Sequence, residues 1–264
     1  MKTWPLLIDI VPLKGSLNMA IDEHLLNSLK NEPQTFLRFY RWERPTASLG
    51  CSQKAENALD IEFCRANGID IVRRMTGGKM VLHHQEITYS ITSSDEEIFT
   101  ATLGGSYRLI ARALRQGLEI MGLATTLAPK APPSYVRGNL PCFSHPAQDE
   151  VEVDGKKLIG SAQKRTAKKF LQHGSLPLCH DEGLLKSVSS LKAGSGEIRM
   201  TSLGQALGRE VDFPWVAGCL VAGFADFFGV EFKPLIFTEA DWDKIRDLQK
   251  DKYENDDWTF HQKR

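Results

Sequence analysis

The run Arg73-Arg74-Met75-Thr76-Gly77-Gly78-Lys79-Met80-Val81-Leu82-His83 places two guanidiniums, two glycines and an imidazole in one short stretch. Adjacent glycines let a backbone approach a ligand closely, and N–H groups exposed at such a turn can hold an oxyanion, a phosphate or a carbonyl oxygen. The arginines add fixed positive charge. A bare Gly-Gly reads equally as a tight hairpin with a solvated basic flank; Arg73, Thr76 and His83 are what raise a binding role for Gly77 and Gly78. His83-His84 invites a metal. On a strand, however, neighbouring side chains point to opposite faces, and no HxH or HxxxH spacing accompanies the pair, so no metal is expected.

Asp154-Gly155-Lys156-Lys157-Leu158-Ile159-Gly160-Ser161-Ala162-Gln163 is the second such stretch. If Lys157 faces inward beside the small residues Gly160, Ser161 and Ala162, it borders a cavity and can polarise a carbonyl. The commoner fate of a lysine is to snorkel at the surface. The third is Cys142, in Leu140-Pro141-Cys142-Phe143. Cys64 and Cys219 fall on helical patterns and suit buried packing, whereas Cys142 falls in a non-periodic stretch. A loop thiol near Lys157 or His83 would have a lowered pKa and act as a nucleophile; a small buried hydrophobe is the other reading.

The elements that must position these residues read as a mixture. Leu6–Val11, Phe36–Trp42, Ile69–Arg73, Lys79–Leu82, Ile87–Thr92 and Leu171–Leu178 suit strands. Gly77-Gly78 would turn between the third and fourth of these, and Asp154-Gly155 would close a hairpin of Glu150–Val153 with Lys156–Lys164. Helices are expected from a Ser16 cap through Leu29, over Ala58–Asn67, Tyr107–Met121, Pro214–Phe228 and Glu239–Tyr253. Pro129–Pro146 holds five prolines and no period, as functional loops do. Leu184–Gly208 is polar and less regular. Without strict βαβ alternation, this is an α+β pattern with a mixed or antiparallel sheet and flanking helices.

The chain has 264 residues, with Lys+Arg and Asp+Glu balanced at 33 each. A net charge of zero argues against a nucleic-acid binder. Five cysteines without CxxC, and no secretory start, suit a cytoplasmic protein with free thiols. The longest apolar stretch, Val216–Val230, is interrupted by Asp226 and is too short for a bilayer.

These motifs resemble the biotin/lipoate attachment superfamily, and within it the lipoate–protein ligases and the octanoyltransferases. The resemblance runs from about Asn18 to Ser175. It takes in Asn18-Met19-Ala20-Ile21-Asp22-Glu23, Leu37-Arg38-Phe39-Tyr40-Arg41-Trp42, Ser48-Leu49-Gly50-Cys51-Ser52-Gln53, the Arg73–His83 run, Gly155–Gln163 and Leu171-Gln172-His173-Gly174-Ser175. It implies the fold of that catalytic domain: one domain over residues 1–264, with the motif-bearing core at about 16–180 and a helical part at about 210–255. It implies that Lys157 contacts the acyl carbonyl or an adenylate. It also implies that Gly77 and Gly78 lie against the acyl donor, with Arg73, Thr76, His83, Gly160, Ser161 and Ala162 in the same substrate site.

Ligases of this family typically follow the motif histidine with Asp and a Gly-Asn pair. Here the run is His83-His84-Gln85-Glu86-Ile87-Thr88-Tyr89-Ser90, which looks like the octanoyltransferases, and Cys142-Phe143 sits where those carry their nucleophile. Lys79-Met80 departs from the usual Arg-Ala. The implied activity is transfer of an octanoyl group from octanoyl-acyl carrier protein, through a Cys142 thioester, to a lysine of a lipoyl domain or glycine cleavage H protein. Cys142 and Lys157 are the catalytic residues, and His83 is the proton carrier. No cofactor is needed; an ATP- and Mg²⁺-dependent lipoate ligase, or an amidotransferase between carrier proteins, is the alternative. A monomer is expected, meeting its acidic carriers through Arg73, Arg74, Lys164, Arg165, Lys168 and Lys169.

Overall fold

A computed structural model describes residues 1–30, 32–99, 102–129, 148–166, 168–190 and 199–263. Cys142 and the proline-rich stretch around it lie outside the described residues.

The main sheet has eight strands. In chain order its members are β1 (Lys2–Ile8), β2 (Thr35–Tyr40), β6 (Glu86–Ser93), β7 (Thr126–Leu127), β8 (Val151–Val153), β9 (Lys156–Arg165), β10 (Phe170–Pro177) and β11 (Val230–Pro234). They lie side by side as β11-β1-β2-β6-β10-β9-β8-β7. β1 pairs in parallel with both β11 and β2, and β6, β10, β9, β8 and β7 continue antiparallel. A second sheet has three strands, β3 (Thr46–Leu49), β4 (Asp70–Arg73) and β5 (Val81–His83), with β3 in the middle. The mixed sheet with flanking helices is therefore the observed architecture.

Period-two sequence patterns sort the main sheet into two faces. Leu37, Phe39, Ile87, Tyr89 and Ile91 pack into one core with the helices Leu103–Ile120 and Phe213–Phe228. The alternate residues of the same strands turn the other way: Phe36 and Tyr40 join α1 (Gly15–Ser28) and the helix Glu239–Leu248 in a second core. Between these two faces the chemistry separates. Glu86, Thr88, Ser90 and Thr92 of β6 all project onto the α1 side, although they are buried.

The Asp154-Gly155 hairpin forms as read: both residues have positive φ, 50° and 70°. That combination suits a two-residue turn whose twist matches the strands. Three other expectations differ. Ser16 does not cap α1, because the helix begins at Gly15 and Ser16 sits inside its first turn, donating to Glu254 Oε1 at 3.1 Å. The segment 58–67 is split at Asp60, which caps Ile61–Ala66 by accepting from the Phe63 N–H at 2.8 Å. The third concerns Gly77-Gly78, which is not a hairpin turn: β3 lies between β4 and β5 and pairs with both. β11 and β3, short strands beside long-range partners, carry too little periodicity to be read alone. Among the described residues no helix is long and apolar enough to cross a membrane.

Candidate active site

The register of the sheet decides which side chains meet. In β10, His173 lies opposite Ser90 of β6 and Ala162 of β9, and Ser175 lies opposite Thr88 and Gly160. His173, Ser175, Thr88, Gly160 and Ala162 therefore share the α1 face. Together with Met19 from α1, Tyr40 and Trp42 from the end of β2, and Ser48, Arg74, Gly78, Val81 and His83 from the small sheet and its loop, they wall a narrow pocket. Its exposed walls are largely apolar, as those of small-molecule sites are.

The loop Met75–Met80 reaches this pocket by crossing over β3. A Cβ built on Gly50 would stand 2.1 Å from the Gly78 carbonyl oxygen, and Gly78 has φ of +90°. Neither position can take a larger residue without moving the loop. Arg74 fastens it from inside: Nη1 donates to the Ser48 carbonyl at 2.8 Å and to Ser48 Oγ at 3.0 Å, and Nη2 donates to the carbonyls of Gly77 and Lys79.

Two histidines stand in the pocket wall with similar partners. His83 Nε2 is 2.7 Å from Ser48 Oγ, and Nδ1 is 2.8 Å from Glu86 Oε1. The His83 ring stacks on Trp42 with centroids 3.9 Å apart. His173 Nε2 is 2.7 Å from Thr76 Oγ1, and Nδ1 is 3.2 Å from Asp22 Oδ2. Burial pushes the Glu86 carboxyl up, but the charge of His83 and hydrogen bonds from His83, Ser175 and Thr88 outweigh it and hold the group below the usual carboxylate range. The same balance applies to Asp22, where burial is outweighed by the His173 hydrogen bond and the Arg38 guanidinium. Both carboxylates are acceptors only, so each histidine donates from Nδ1 and turns Nε2 toward a hydroxyl.

Gly78, His83, Gly160, Ser161 and Ala162 line the pocket as the sequence suggests. The Ser161 hydroxyl bonds Tyr89 OH at 2.7 Å, on the sheet face opposite His173, so Ser161 contributes its backbone rather than its hydroxyl. Thr76 and Gly77 stand just behind the wall, through His173 and Arg74 respectively. Arg73 turns away. Its Nε donates to the carbonyls of Trp258 and Thr259, and its Nη1 donates to those of Gly50 and Gln53. It clamps the C-terminal segment onto the loop after β3. Arg73 and Arg74 are 0% and 3% exposed, so neither can meet an acidic carrier at the surface, which corrects that expectation for this pair.

Lys157 is buried completely, and its Nζ lies 2.7 Å from Glu150 Oε2. It is an inward lysine and not a snorkelling one, on the strand that supplies Gly160–Ala162, but it is not among the residues lining the pocket. Among the described residues no group of three His, Cys, Asp or Glu is placed to hold a metal ion. The site residues that sequence reading leaves without a role are Ser48, Asp22, Glu86 and Arg38, and it treats Arg74 as a surface contact rather than as the fastener of the loop. The period-two polar run Glu86-Thr88-Ser90-Thr92 was the available signal for Glu86, since four buried polar residues on one strand face need partners.

The lipoyl protein ligase A/B catalytic domain family matches residues 14–225. An octanoyltransferase of Exiguobacterium sp. is 36% identical over 262 residues, covering 92% of this chain and 93% of that protein. An octanoyltransferase of Carboxydothermus hydrogenoformans is 35% identical, covering 98% and 99%. Among solved structures, lipoate-protein ligase A bound with ATP superposes with a TM-score of 0.85 at 24% identity, covering all of both chains. The bi-partite lipoate protein ligase of Thermoplasma acidophilum gives 0.85 at 22%, covering 100% of this chain and 98% of that one. At those identities the structures speak for the fold, and the sequence relatives for the branch. The chain thus belongs to the lipoyl protein ligase A/B catalytic-domain family, on its octanoyltransferase side, and is an acyltransferase.

Proposed function

We propose that the chain moves an octanoyl group from octanoyl-acyl carrier protein to a lysine of a lipoyl domain or glycine cleavage H protein, through a thioester on Cys142. The observation that carries this reading is the match to octanoyltransferases along nearly the whole chain. The apolar-walled pocket between β6, β10 and the Gly77-Gly78 loop supports it. In the first step the Cys142 thiolate attacks the donor thioester, a new C–S bond replaces the old one, and the carrier thiol leaves. Exchange of one thioester for another is nearly isoenergetic. In the second step a lysine nitrogen displaces the Cys142 thiolate, and amide formation makes that step downhill. Lys157 supplies positive charge for the developing oxyanion, with backbone N–H groups near Gly77 and Gly78. His83 carries the proton. The scheme uses neither metal nor ATP. The chain works as one catalytic unit, a monomer in the cytoplasm.

Intact-protein mass after mixing with octanoyl-acyl carrier protein, without ATP, tests it. An octanoyl adduct on wild type and none on Cys142→Ala is expected. No adduct, with acceptor acylation only when ATP and free acid are supplied, would replace the transferase by a ligase.

A further inference from the structure

His83 and His173 look interchangeable by contact type: each has a hydroxyl on Nε2 and a carboxylate on Nδ1. Their electrostatics differ. Asp22 is already matched, because Arg38 Nη1 lies 2.9 Å from its Oδ1, and Ser90 and Tyr40 also donate to it. Among the described residues Glu86 has no such cation. Its donors are Trp42 Nε1 at 3.1 Å, the hydroxyls of Thr88 and Ser175, and His83, and His83 is its ion-pair partner among the described residues. A proton added to His83 would therefore complete a buried ion pair. One added to His173 would stand as a surplus charge beside Arg38 and Arg74. Burial, followed by the charges of Arg74 and His83, already holds His173 below the usual imidazole range despite Asp22.

We propose that Glu86 is a positioning residue that makes His83, rather than His173, the proton acceptor for the incoming lysine, with Ser48 as the hydroxyl through which the proton passes. This rests on the transferase reading above. As the lysine nitrogen bonds the acyl carbon and the C–S bond breaks, the surplus proton on nitrogen passes to Ser48 Oγ while Ser48 gives its own to His83 Nε2. Glu86 holds the ring in the tautomer that can accept and neutralises the imidazolium. The departing thiolate then takes that proton through the same hydroxyl, and His83 returns to neutral. Arg74, donating to Ser48 Oγ, turns the serine O–H toward the ring and keeps the oxygen's charge low during the exchange. His173 stays neutral and holds the Gly77-Gly78 loop through Thr76.

The groups that face His83 and would shape any pH dependence are Glu86 at the start of the next strand, Arg74 through Ser48 on β3, His173 from β10, Tyr40 at the end of β2, and Asp22 beyond it on α1. The contrast between Glu86 and Asp22 is thus one of counter-ion, since both are buried and ionised.

The test separates the two steps. Octanoyl adduct formation on the enzyme is read by intact mass, and single-turnover transfer from the isolated adduct to a lipoyl domain is read as a function of pH. For Glu86→Gln, the loss is expected far more in transfer than in adduct formation. Transfer should fall about 100-fold, at the low end of what a positioned proton acceptor contributes, because the amide no longer selects the tautomer. The rise of transfer with pH should flatten in Glu86→Gln and in His83→Gln but persist in His173→Gln. Ser48→Ala leaves all the hydrogen bonds of Glu86 in place and should also slow transfer, which keeps the test alive if Glu86→Gln folds poorly. A wild-type pH profile in Ser48→Ala and in soluble Glu86→Gln would overturn the assignment. So would a flattened profile confined to His173→Gln. Absence of any adduct on wild type would instead remove the transferase reading beneath it.

Discussion

Arg38 carries a guanidinium into the interior with no exposed surface, donating to Asp9, Asp22 and both the carbonyl and the side-chain oxygen of Asn18. It stands over the Tyr40 ring at 4.0 Å. Removing one member of a buried ion pair leaves the other charge uncompensated, which costs about 3–5 kcal/mol. Arg38→Met should cost that much in denaturant unfolding. Its second effect is more telling. With Asp22 no longer matched, His173 gains the counter-ion it lacks in wild type, so its imidazole should titrate at higher pH in Arg38→Met, as read by NMR. An unchanged His173 titration would mean that Arg38 does not set the difference between the two histidines. Lys157 of β9 and Glu150, just before β8, make the same kind of buried pair.

At the scale of elements, the strand β3 controls the site by what it separates. It supplies Ser48 to His83, and its end supplies Gly50, over which the Gly77-Gly78 loop must pass. Gly50→Ala places a methyl 2.1 Å from the Gly78 carbonyl, and backbone rather than a flexible side chain is what must yield. The expected result is a displaced pocket wall. Octanoyl adduct formation should fall at least tenfold, while stability falls by about 1–3 kcal/mol, an ordinary cost for a single core substitution. Full activity in Gly50→Ala would show that the loop has another resting place. The small-residue stretch Gly160–Ala162 plays the matching part on the other side, since side chains there would fill the space next to His173 and Ser175.

For the molecule as a whole, buried titratable groups predict the direction of pH dependence. Asp22 and Glu86 have folded-state values lowered relative to the unfolded chain. Their contribution is present above the unfolded value, near 4, and is lost as pH falls through the folded one. His173 and His24 are lowered as well, chiefly by burial. The unfolded chain takes up their protons below about pH 6.5 while the folded one does not, so stability declines from there downward. All four act in the same sense. Thermal unfolding followed from pH 8 to pH 4 should show a falling Tm, steeper at the acid end, and a Tm constant over that range would contradict the burial of these groups. Replacing His173 by Gln should make the upper part of that decline shallower.

Much of this was legible before any coordinates. The polar alternation from Glu86 to Ser93, the Asp154-Gly155 turn, the amphipathic helix near residue 110 and the ordered motifs of the family are local properties, set by side-chain period and backbone preference within a few residues. They determined most of the strands and the family, and they singled out five residues that line the pocket, Gly78, His83, Gly160, Ser161 and Ala162. What the sequence left open depends on which distant segments are neighbours. Whether Gly77-Gly78 closes a hairpin or crosses a third strand depends on β3 lying between β4 and β5. Whether Arg73 faces a ligand or the carbonyls of Trp258 and Thr259 depends on where a segment 185 residues away packs. Two histidines with the same kinds of neighbours differ because Arg38, from β2, reaches one carboxylate and not the other. Charge balance in a buried site is a sum over contributions from several elements, and only the tertiary structure decides which of them are present.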